Sequence, residues 1–260
     1  MTAEANGRNV IEFVRAGYCL PNGTRLLENV CLEVREGEVL VLLGRSGAGK
    51  TTALKLINRM LEPSEGEVRV EGRSTLAWDA IALRRRIGYV IQETGLFPHY
   101  TVEKNIAVVP RLEGWEEARI RSRVTELLEL VGLNAGEFRS RYPHQLSGGQ
   151  RQRVGLARAL AADPPILLMD EPFGELDPLT RADVREEFLS LEKRIRKTVV
   201  MVTHDVAGAM LLGTRVAVFE NGRVKGTYTP REFLESGDPD IAGYRKALRT
   251  REDLEKEIEE

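Results

Sequence analysis

Residues 39–51 read Val-Leu-Val-Leu-Leu-Gly-Arg-Ser-Gly-Ala-Gly-Lys-Thr, and the rest of the chain can be interpreted outward from them. Residues 39–43 are apolar without alternation, which is the pattern of a strand buried on both faces of a parallel sheet. Residues 44–51 fit G-x-x-x-x-G-K-[ST] and open a helical pattern. Glycines in such a loop let successive backbone N–H groups point at phosphate oxygens, and the helix N-terminus adds partial positive charge. The segment therefore predicts a phosphate-binding loop between a strand and a helix.

Residue types in this loop predict how a nucleoside triphosphate and Mg²⁺ are held. We expect Lys50 to reach the β- and γ-phosphates, Thr51 to ligate Mg²⁺ through its hydroxyl, and Thr52 to donate to a phosphate. An incidental glycine-rich turn is the alternative, and the strand and helix on either side disfavour it. The other loop residues expected at the phosphates are Gly44, Arg45, Ser46, Gly47, Ala48 and Gly49.

The surrounding sequence predicts an α/β fold. Further apolar runs at 87–91, 166–169 and 198–202, separated by helical patterns, indicate βαβ units and a mainly parallel sheet. Nearer the N-terminus, alternating apolar residues indicate half-buried strands, as expected for an antiparallel β subdomain. Asn22-Gly23 and Asn221-Gly222 each lie between two predicted strands, and this dipeptide is a strong hairpin signal.

Helical periodicity between the predicted strands indicates an inserted subdomain. Apolar positions recur at helical spacing from 113 to 130, and a second helix is predicted over 150–162, where Asp163-Pro164-Pro165 ends it. We therefore predict a nucleotide-binding core of residues 1–92 and 165–229 with a helical insert of residues 93–164. Residues 230–260 are predicted to form a charged, helical tail, and the last 17 residues carry 11 charges, as in a solvated helix or a frayed tail.

Composition excludes several classes of protein. The chain has 260 residues, 38 Lys and Arg against 40 Asp and Glu, and a formal net charge of -2, so we expect no nucleic-acid partner. No apolar run is long enough to cross a bilayer, and residues 1–13 lack the features of a secretory signal, so neither spanning nor export is expected. Cys19 and Cys31 have neither metal-site spacing nor nearby histidines, which favours reduced packing thiols.

Polar residues follow three of the predicted parallel strands, at the edge where ligands bind in open α/β sheets. Asp170 is placed to hold Mg²⁺ and Glu171 to activate water, because a carboxylate committed to the metal leaves its neighbour free to accept a proton. His204 follows another strand and is placed to donate to the γ-phosphate or to the attacking water. Gln92 is placed to ligate Mg²⁺ or orient water. Taken alone, Asp170 and Glu171 could be a helix N-cap or a solvated turn, His204 a structural histidine, and Gln92 a polar loop residue.

A second anion-receptive helix start lies at Leu-Ser-Gly-Gly-Gln, residues 146–150. Ser147 with Gly148 and Gly149 can present backbone donors to a phosphate, and a simple serine N-cap is the alternative. If both sites grip the same nucleotide, two chains arranged head to tail can each supply half of each site.

These motifs, in this order, resemble the ATP-binding subunit of an ABC transporter over residues 10–230. The resemblance implies a P-loop NTPase core, an ABC ATPase domain over residues 1–229, and ATP with Mg²⁺ as ligands. It also implies that Tyr18 stacks on adenine and that Asp177 lies at a dimer seam. Glu175 departs from the small residue that is more usual in the family at its position. The residues that this resemblance places against the γ-phosphate of the opposite subunit are Ser147, Gly148, Gly149 and Gln150.

A finer resemblance, over residues 84–115 and 141–181, is to ATPase subunits that energise uptake of osmoprotectants such as glycine betaine, choline or carnitine. It implies a homodimer or a paralogous ATPase partner, membrane permease subunits, an indirectly linked solute-binding protein, and a place at the cytoplasmic face of the membrane. An importer subunit for another solute stays open. A DNA-repair or chromosome-organising ATPase also shares the motifs, but only 54 residues separate Gln92 from Ser147, too few for a long coiled-coil arm. A nucleotide sensor without hydrolysis is disfavoured by the presence of both Glu171 and His204.

Overall fold

The computed structural model describes residues 7–92, 95–174, 176–246 and 248. Two sheets contain the strands of this part of the chain. The strands are β1 (Asn9–Cys19), β2 (Arg25–Arg35), β3 (Val39–Leu43), β4 (Glu65–Val70), β5 (Arg73–Ser74), β6 (Ile87–Val90), β7 (Ile166–Asp170), β8 (Thr198–Thr203), β9 (Arg215–Glu220) and β10 (Arg223–Tyr228). The helices are α1 (Lys50–Ile57), α2 (Ala80–Arg85), α3 (Val102–Ile106), α4 (Val108–Leu112), α5 (Glu117–Leu130), α6 (Ala135–Phe138), α7 (Gly148–Ala159), α8 (Pro178–Ile195), α9 (Val206–Leu212), α10 (Pro230–Glu235) and α11 (Pro239–Lys246).

The larger sheet has six strands in the order β10-β9-β3-β8-β7-β6. Its pairs are parallel except for the β9–β10 hairpin, which is antiparallel and turns at Asn221-Gly222. Every residue of β3, β7 and β8 is buried, because both faces of these strands are covered. The prediction of a mixed, mainly parallel sheet is confirmed.

The smaller sheet is antiparallel, with the order β2-β1-β4-β5, as predicted for the N-terminal part of the chain. It packs with α1 on one face of the larger sheet, where Leu40 and Leu42 of β3 join its core. Val39, Val41 and Leu43 point to the opposite face and pack in the core formed with the helices. Side chains alternate across a strand, so β3 contributes to both cores.

Helices α3 to α7 lie between β6 and β7, which are neighbours in the larger sheet. The apolar positions of α5 are buried as its periodicity predicts. Helix α7 begins two residues earlier and ends three residues earlier than the helix predicted over 150–162. Its start is set by a capping box at Ser147, which draws Gly148 and Gly149 into the first turn.

The segment after β10 packs against the rest of the chain. Phe233 of α10 is fully buried and Ile241 of α11 is 1% exposed, and both belong to the core formed with the helices. Tyr244 and Leu248 are partly buried against the same core. The expectation of a solvated helix is therefore wrong for these two residues, because apolar side chains among the charges anchor the segment. The division of the chain at residue 229 stays a prediction.

No helix in the described ranges is both long and apolar enough to cross a membrane. Both cysteines are free, with Cys19 half-buried and Cys31 exposed. The packing role predicted for Cys31 is wrong, because Cys31 points outward from β2 between two inward-facing apolar residues.

Candidate functional site

The phosphate loop joins β3 to α1, as the sequence predicts. Gly49 is the N-cap of α1 and has a φ of 99°, in the left-handed region that side chains other than glycine rarely adopt. A Cβ at Gly49 would lie 2.7 Å from Leu27 Cδ2 and 2.8 Å from the Leu26 carbonyl oxygen. Glycine is thus required at this position both by its conformation and by the close approach of β2.

Lys50 follows the phosphate loop, and its side chain reaches back to that loop. It is 6% exposed, and its Nζ donates to the carbonyl oxygens of Gly44 at 2.7 Å and Arg45 at 2.9 Å. Burial lowers the pKa of the Lys50 ammonium, and the nearby carboxylates of Glu171 and Asp170 oppose that shift. The ammonium is therefore held by loop carbonyls at the point where a bound phosphate would need a cation.

Thr51 and Asp170 meet across the base of the cleft. The Thr51 hydroxyl donates to Asp170 Oδ1 at 2.8 Å, and Asp170 is 6% exposed at the end of β7. Burial and the negative charge of Asp170 raise the pKa of Tyr89, which lies on the neighbouring strand β6. Mg²⁺ prefers oxygen ligands and is commonly held by one or two carboxylates together with substrate phosphates. With the Gln92 amide lining the same cleft, these oxygen donors fit Mg²⁺.

Glu171 and His204 approach each other from the ends of β7 and β8. His204 Nδ1 lies 3.0 Å from Glu171 Oε1. The Glu171 side chain is 14% exposed and that of His204 is 63% exposed. Glu171 has a φ of 45°, a conformation that is uncommon outside glycine and that occurs at functional sites. The carboxylate is thus sheltered while the imidazole faces the open side of the cleft.

A cleft of about 360 Å³ brings many of the predicted residues together, whereas Gly44, Arg45 and Asp170 are not among the described residues that line it. Leu26 and Gly174 also line it, although no sequence motif marks either of them. The lining that the sequence predicts is Ser46, Gly47, Ala48, Gly49, Lys50, Thr51, Thr52, Gln92, Glu171 and His204.

The second predicted phosphate site lies outside this cleft, since residues 146–150 are absent from its lining within the described part of the chain. Ser147 is exposed at the N-cap of α7, where its Oγ accepts from the Gln150 backbone N–H at 3.3 Å. Gln150 Oε1 in turn accepts from the Ser147 N–H at 3.0 Å. Gly148 is half-buried, and Gly149 is buried beside Thr180 of α8. The Ser147 turn is therefore a separate site from the cleft beside the phosphate loop of its own chain.

The remaining predicted residues occupy other positions. Asp177 is exposed at the N-cap of α8, where it accepts from the N–H groups of Leu179 and Thr180, and hydrogen bonds from Thr180 hold its pKa below the usual range. Tyr18 is half-buried on β1 against the core beneath the smaller sheet. Glu175 lies outside the described residues.

The β9–β10 hairpin supports the phosphate loop, which sequence reasoning did not predict. The Gly222 N–H donates to the Ala48 carbonyl oxygen at 3.1 Å, and its carbonyl accepts from the Glu28 N–H at 2.9 Å. A Cβ at Gly44 would collide with the Phe219 carbonyl oxygen. The Asn-Gly signal marks the turn, but it carries no information about what the turn contacts.

Comparison with known proteins agrees with this geometry. The family described as ABC transporter matches residues 27–174. The osmoprotectant import ATP-binding protein OsmV of Salmonella typhimurium is 51% identical over 219 residues, 84% of this chain and 57% of that protein. The glycine betaine/carnitine/choline transport ATP-binding protein OpuCA of Bacillus subtilis is 44% identical over 238 residues, 90% of this chain and 62% of that protein.

Among solved structures, the dimeric post-hydrolysis state of the ATP-binding cassette MJ0796, bound to ADP and Pi, is 34% identical. It has a TM-score of 0.75, and the match covers 85% of this chain and 99% of that one. The chain spans about 57–62% of the length of the two curated relatives above. Motif order, cleft geometry and these similarities agree that the chain belongs to the ABC transporter family of ATP-binding cassettes.

Proposed function

We propose that this chain is the ATP-hydrolysing subunit of an ABC importer, working as a dimer and coupling hydrolysis to uptake of a quaternary-amine osmoprotectant. The observation that carries the proposal is the cleft, which gathers Lys50, Thr51, Glu171 and His204 from distant parts of the chain. The names of the relatives support the transport role and the class of solute. An importer of another solute remains the second candidate within the same activity.

In the proposed site, the loop N–H groups and Lys50 bind the phosphates, and Thr52 donates to one of them. Thr51, Asp170 and Gln92 would hold Mg²⁺, which when bound neutralises charge on the phosphate oxygens. The Thr51–Asp170 hydrogen bond keeps both oxygen donors at one point before nucleotide arrives. Lys50 exchanges its two carbonyl acceptors for phosphate oxygens when ATP binds.

Glu171 is the proposed general base. Its carboxylate is sheltered at the end of β7, and it accepts the proton of the attacking water. His204, 3.0 Å away, holds the carboxylate in place and donates toward the γ-phosphate or the water. The division of labour follows from position, because Asp170 is bonded to the proposed Mg²⁺ ligand Thr51, whereas Glu171 lies beside His204.

Two chains would complete each ATP site. Ser147, Gly148, Gly149 and Gln150 lie outside the cleft of their own chain, so an opposed copy is needed to bring them to a γ-phosphate. The dimeric assembly of the MJ0796 cassette supports this arrangement. In the proposed dimer of this chain, Tyr18 would stack on adenine and Asp177 would lie at the seam between the two copies.

A membrane permease is the proposed partner that receives the motion. An open groove of about 360 Å³, lined mainly by apolar side chains, lies between β6 and the helical insert. Phe97 and Val108 line it, and they lie in or next to residues 93–105, the segment that we propose transmits movement to the membrane helices. Glu93 and Thr94, at the start of that segment, lie outside the described residues. The complex is proposed at the cytoplasmic face of the membrane, with a solute-binding protein acting through the permease.

Substitution of Glu171 by glutamine tests the activity. The amide keeps the size of the side chain and can still pair with His204, so ATP affinity should stay within about threefold while turnover falls about 100-fold or more, since proton transfer contributes about 10²–10⁴-fold. Release of phosphate from MgATP is measured for both proteins, with and without DNA. Near-normal hydrolysis by Glu171→Gln would remove Glu171 from the base role, and stimulation by DNA would favour the repair-type ATPase.

A further inference from the structure

An arginine of α8 links the two loops that carry Glu171 and His204. Arg185 forms an ion pair with Asp205, the residue directly after His204, and the two side chains are 14% and 26% exposed. The guanidinium carbon of Arg185 also lies 5.9 Å from the ring centre of Phe173, two residues after Glu171. One side chain therefore contacts residues beside both members of the Glu171–His204 pair.

The ion pair with Arg185 takes the place of the capping hydrogen bond that an aspartate at the position of Asp205 usually makes. Asp205 is the N-cap of α9, and aspartate at that position usually accepts a hydrogen bond from the first turn. Here the Asp205 side chain makes no capping hydrogen bond, because its carboxylate is turned toward Arg185. The preference of α9 for a cap is thus overridden by a contact with a different helix.

Gly208 provides the space for the pair. A Cβ at this position would lie 2.9 Å from Asp205 Oδ2 and 3.0 Å from Arg185 Nη2. Glycine inside a helix is less favourable than alanine. Helix α9 nevertheless has glycine at position 208, where a side chain would push Arg185 and Asp205 apart.

Helix α8 also holds the loop after Glu171 by a second arginine. Arg181 donates from Nε to the Phe173 carbonyl oxygen at 3.1 Å and from Nη2 to the Leu176 carbonyl oxygen at 2.7 Å. Arg181 therefore holds the loop that follows Glu171. Arg185, one turn further along α8, contacts the loop that carries His204. Helix α8 therefore contacts both loops.

We infer that Arg185 is a positioning residue for hydrolysis, holding His204 against Glu171 through Asp205. The inference rests on the proposed function and deepens it. Without Arg185, Asp205 is free to turn back and cap α9, which displaces the backbone that carries His204. Misplacement of a reacting group by about 1 Å can lower a rate by about 100-fold, so turnover is more sensitive to this change than nucleotide binding is.

Arg185→Met is the principal test, measured by turnover of MgATP and by affinity for a fluorescent ATP analogue. We expect turnover to fall about tenfold, equivalent to about 1.4 kcal/mol in activation free energy, with nucleotide affinity within about twofold. Arg185→Lys keeps a cation at Asp205 and should restore most of the turnover. Asp205→Asn should resemble Arg185→Met, and the double variant should be no slower than either single variant, since the two residues act as a unit.

Gly208→Ala gives a second test that removes no charge. The added methyl group should separate the ion pair and lower turnover even though alanine favours the helix. Arg153→Met is the matched control, because the Arg153–Glu187 pair also involves α8 and has an arginine that is 22% exposed, but its acidic partner belongs to α8 and not to the residues beside His204. Its turnover should equal that of the unmodified chain.

The outcomes separate the inference from the function on which it rests. If the unmodified chain hydrolyses MgATP and Arg185→Met stays within twofold of its turnover, the inference is wrong and the proposed function stands. It is also wrong if Arg185→Met loses turnover, nucleotide affinity and melting temperature together, as a structural role alone would predict. If the unmodified chain does not hydrolyse MgATP under any condition that supports nucleotide binding, the proposed function falls, and the inference with it.

Discussion

Replacement of Thr51 by valine should destabilise the chain even without nucleotide. Valine keeps the β-branched shape and removes the hydroxyl that donates to Asp170 Oδ1 at 2.8 Å. Asp170 is 6% exposed, so water replaces the lost donor poorly. A hydrogen bond to a charged group contributes about 1.5–3 kcal/mol, and we expect the free energy of unfolding to fall by that amount.

Thermal unfolding of the nucleotide-free chain measures this effect. For a domain of this size, 1 kcal/mol shifts the melting temperature by roughly 2–4 °C, so a loss of about 2 kcal/mol corresponds to about 4–8 °C. Thr51→Ser is the control, because it keeps the Oγ donor and loses only one methyl group. We expect Thr51→Ser to melt closer to the unmodified chain than Thr51→Val does.

The same pair of variants reports on Mg²⁺. Thr51→Val should bind ATP equally well with and without Mg²⁺, whereas Thr51→Ser should keep the preference of the unmodified chain for MgATP. Equal melting temperatures for Thr51→Val and the unmodified chain would refute the energetic argument about Asp170. An unchanged Mg²⁺ preference in Thr51→Val would refute the proposed role of the hydroxyl as a ligand.

Three further variants test other parts of the structure. Phe233→Ala should lower the free energy of unfolding in urea by about 3–5 kcal/mol because its ring is fully buried, whereas Leu234→Ala, at a site that is 50% exposed, should have little effect. Gly222→Ala should weaken ATP binding in a fluorescence titration, although Gly222 lies outside the cleft lining, since the turn donates to Ala48 of the phosphate loop; unchanged affinity would show that the loop needs no such support. Lys50→Met should weaken ATP binding itself and not only turnover, and a normal dissociation constant would contradict the phosphate contact.

Much of the candidate site was predictable from short stretches of sequence. The apolar run 39–43, the glycines that follow it and Lys50 are contiguous, so their pattern predicts strand, loop and helix together. Asp170, Glu171 and His204 each end an apolar run, and the carboxyl ends of parallel strands meet at one edge of a sheet. A general rule of topology therefore predicts that they lie close together: Glu171 and His204 line the cleft, and Asp170 bonds to Thr51, which also lines it.

Contacts between segments distant in the chain were not predictable in this way. Gly222 supports Ala48, Arg185 holds Asp205, and Phe233 fills the core beside the helices, yet no local pattern marks any of these pairs. The charges after residue 243 predicted a solvated helix or a frayed tail, whereas Tyr244 and Leu248 are partly buried against the core. Local sequence specifies backbone conformation and the face that is apolar, because these depend on neighbours in the chain. Which surfaces meet depends on the order and twist of strands across the whole sheet, and that information appears only when the chain is folded.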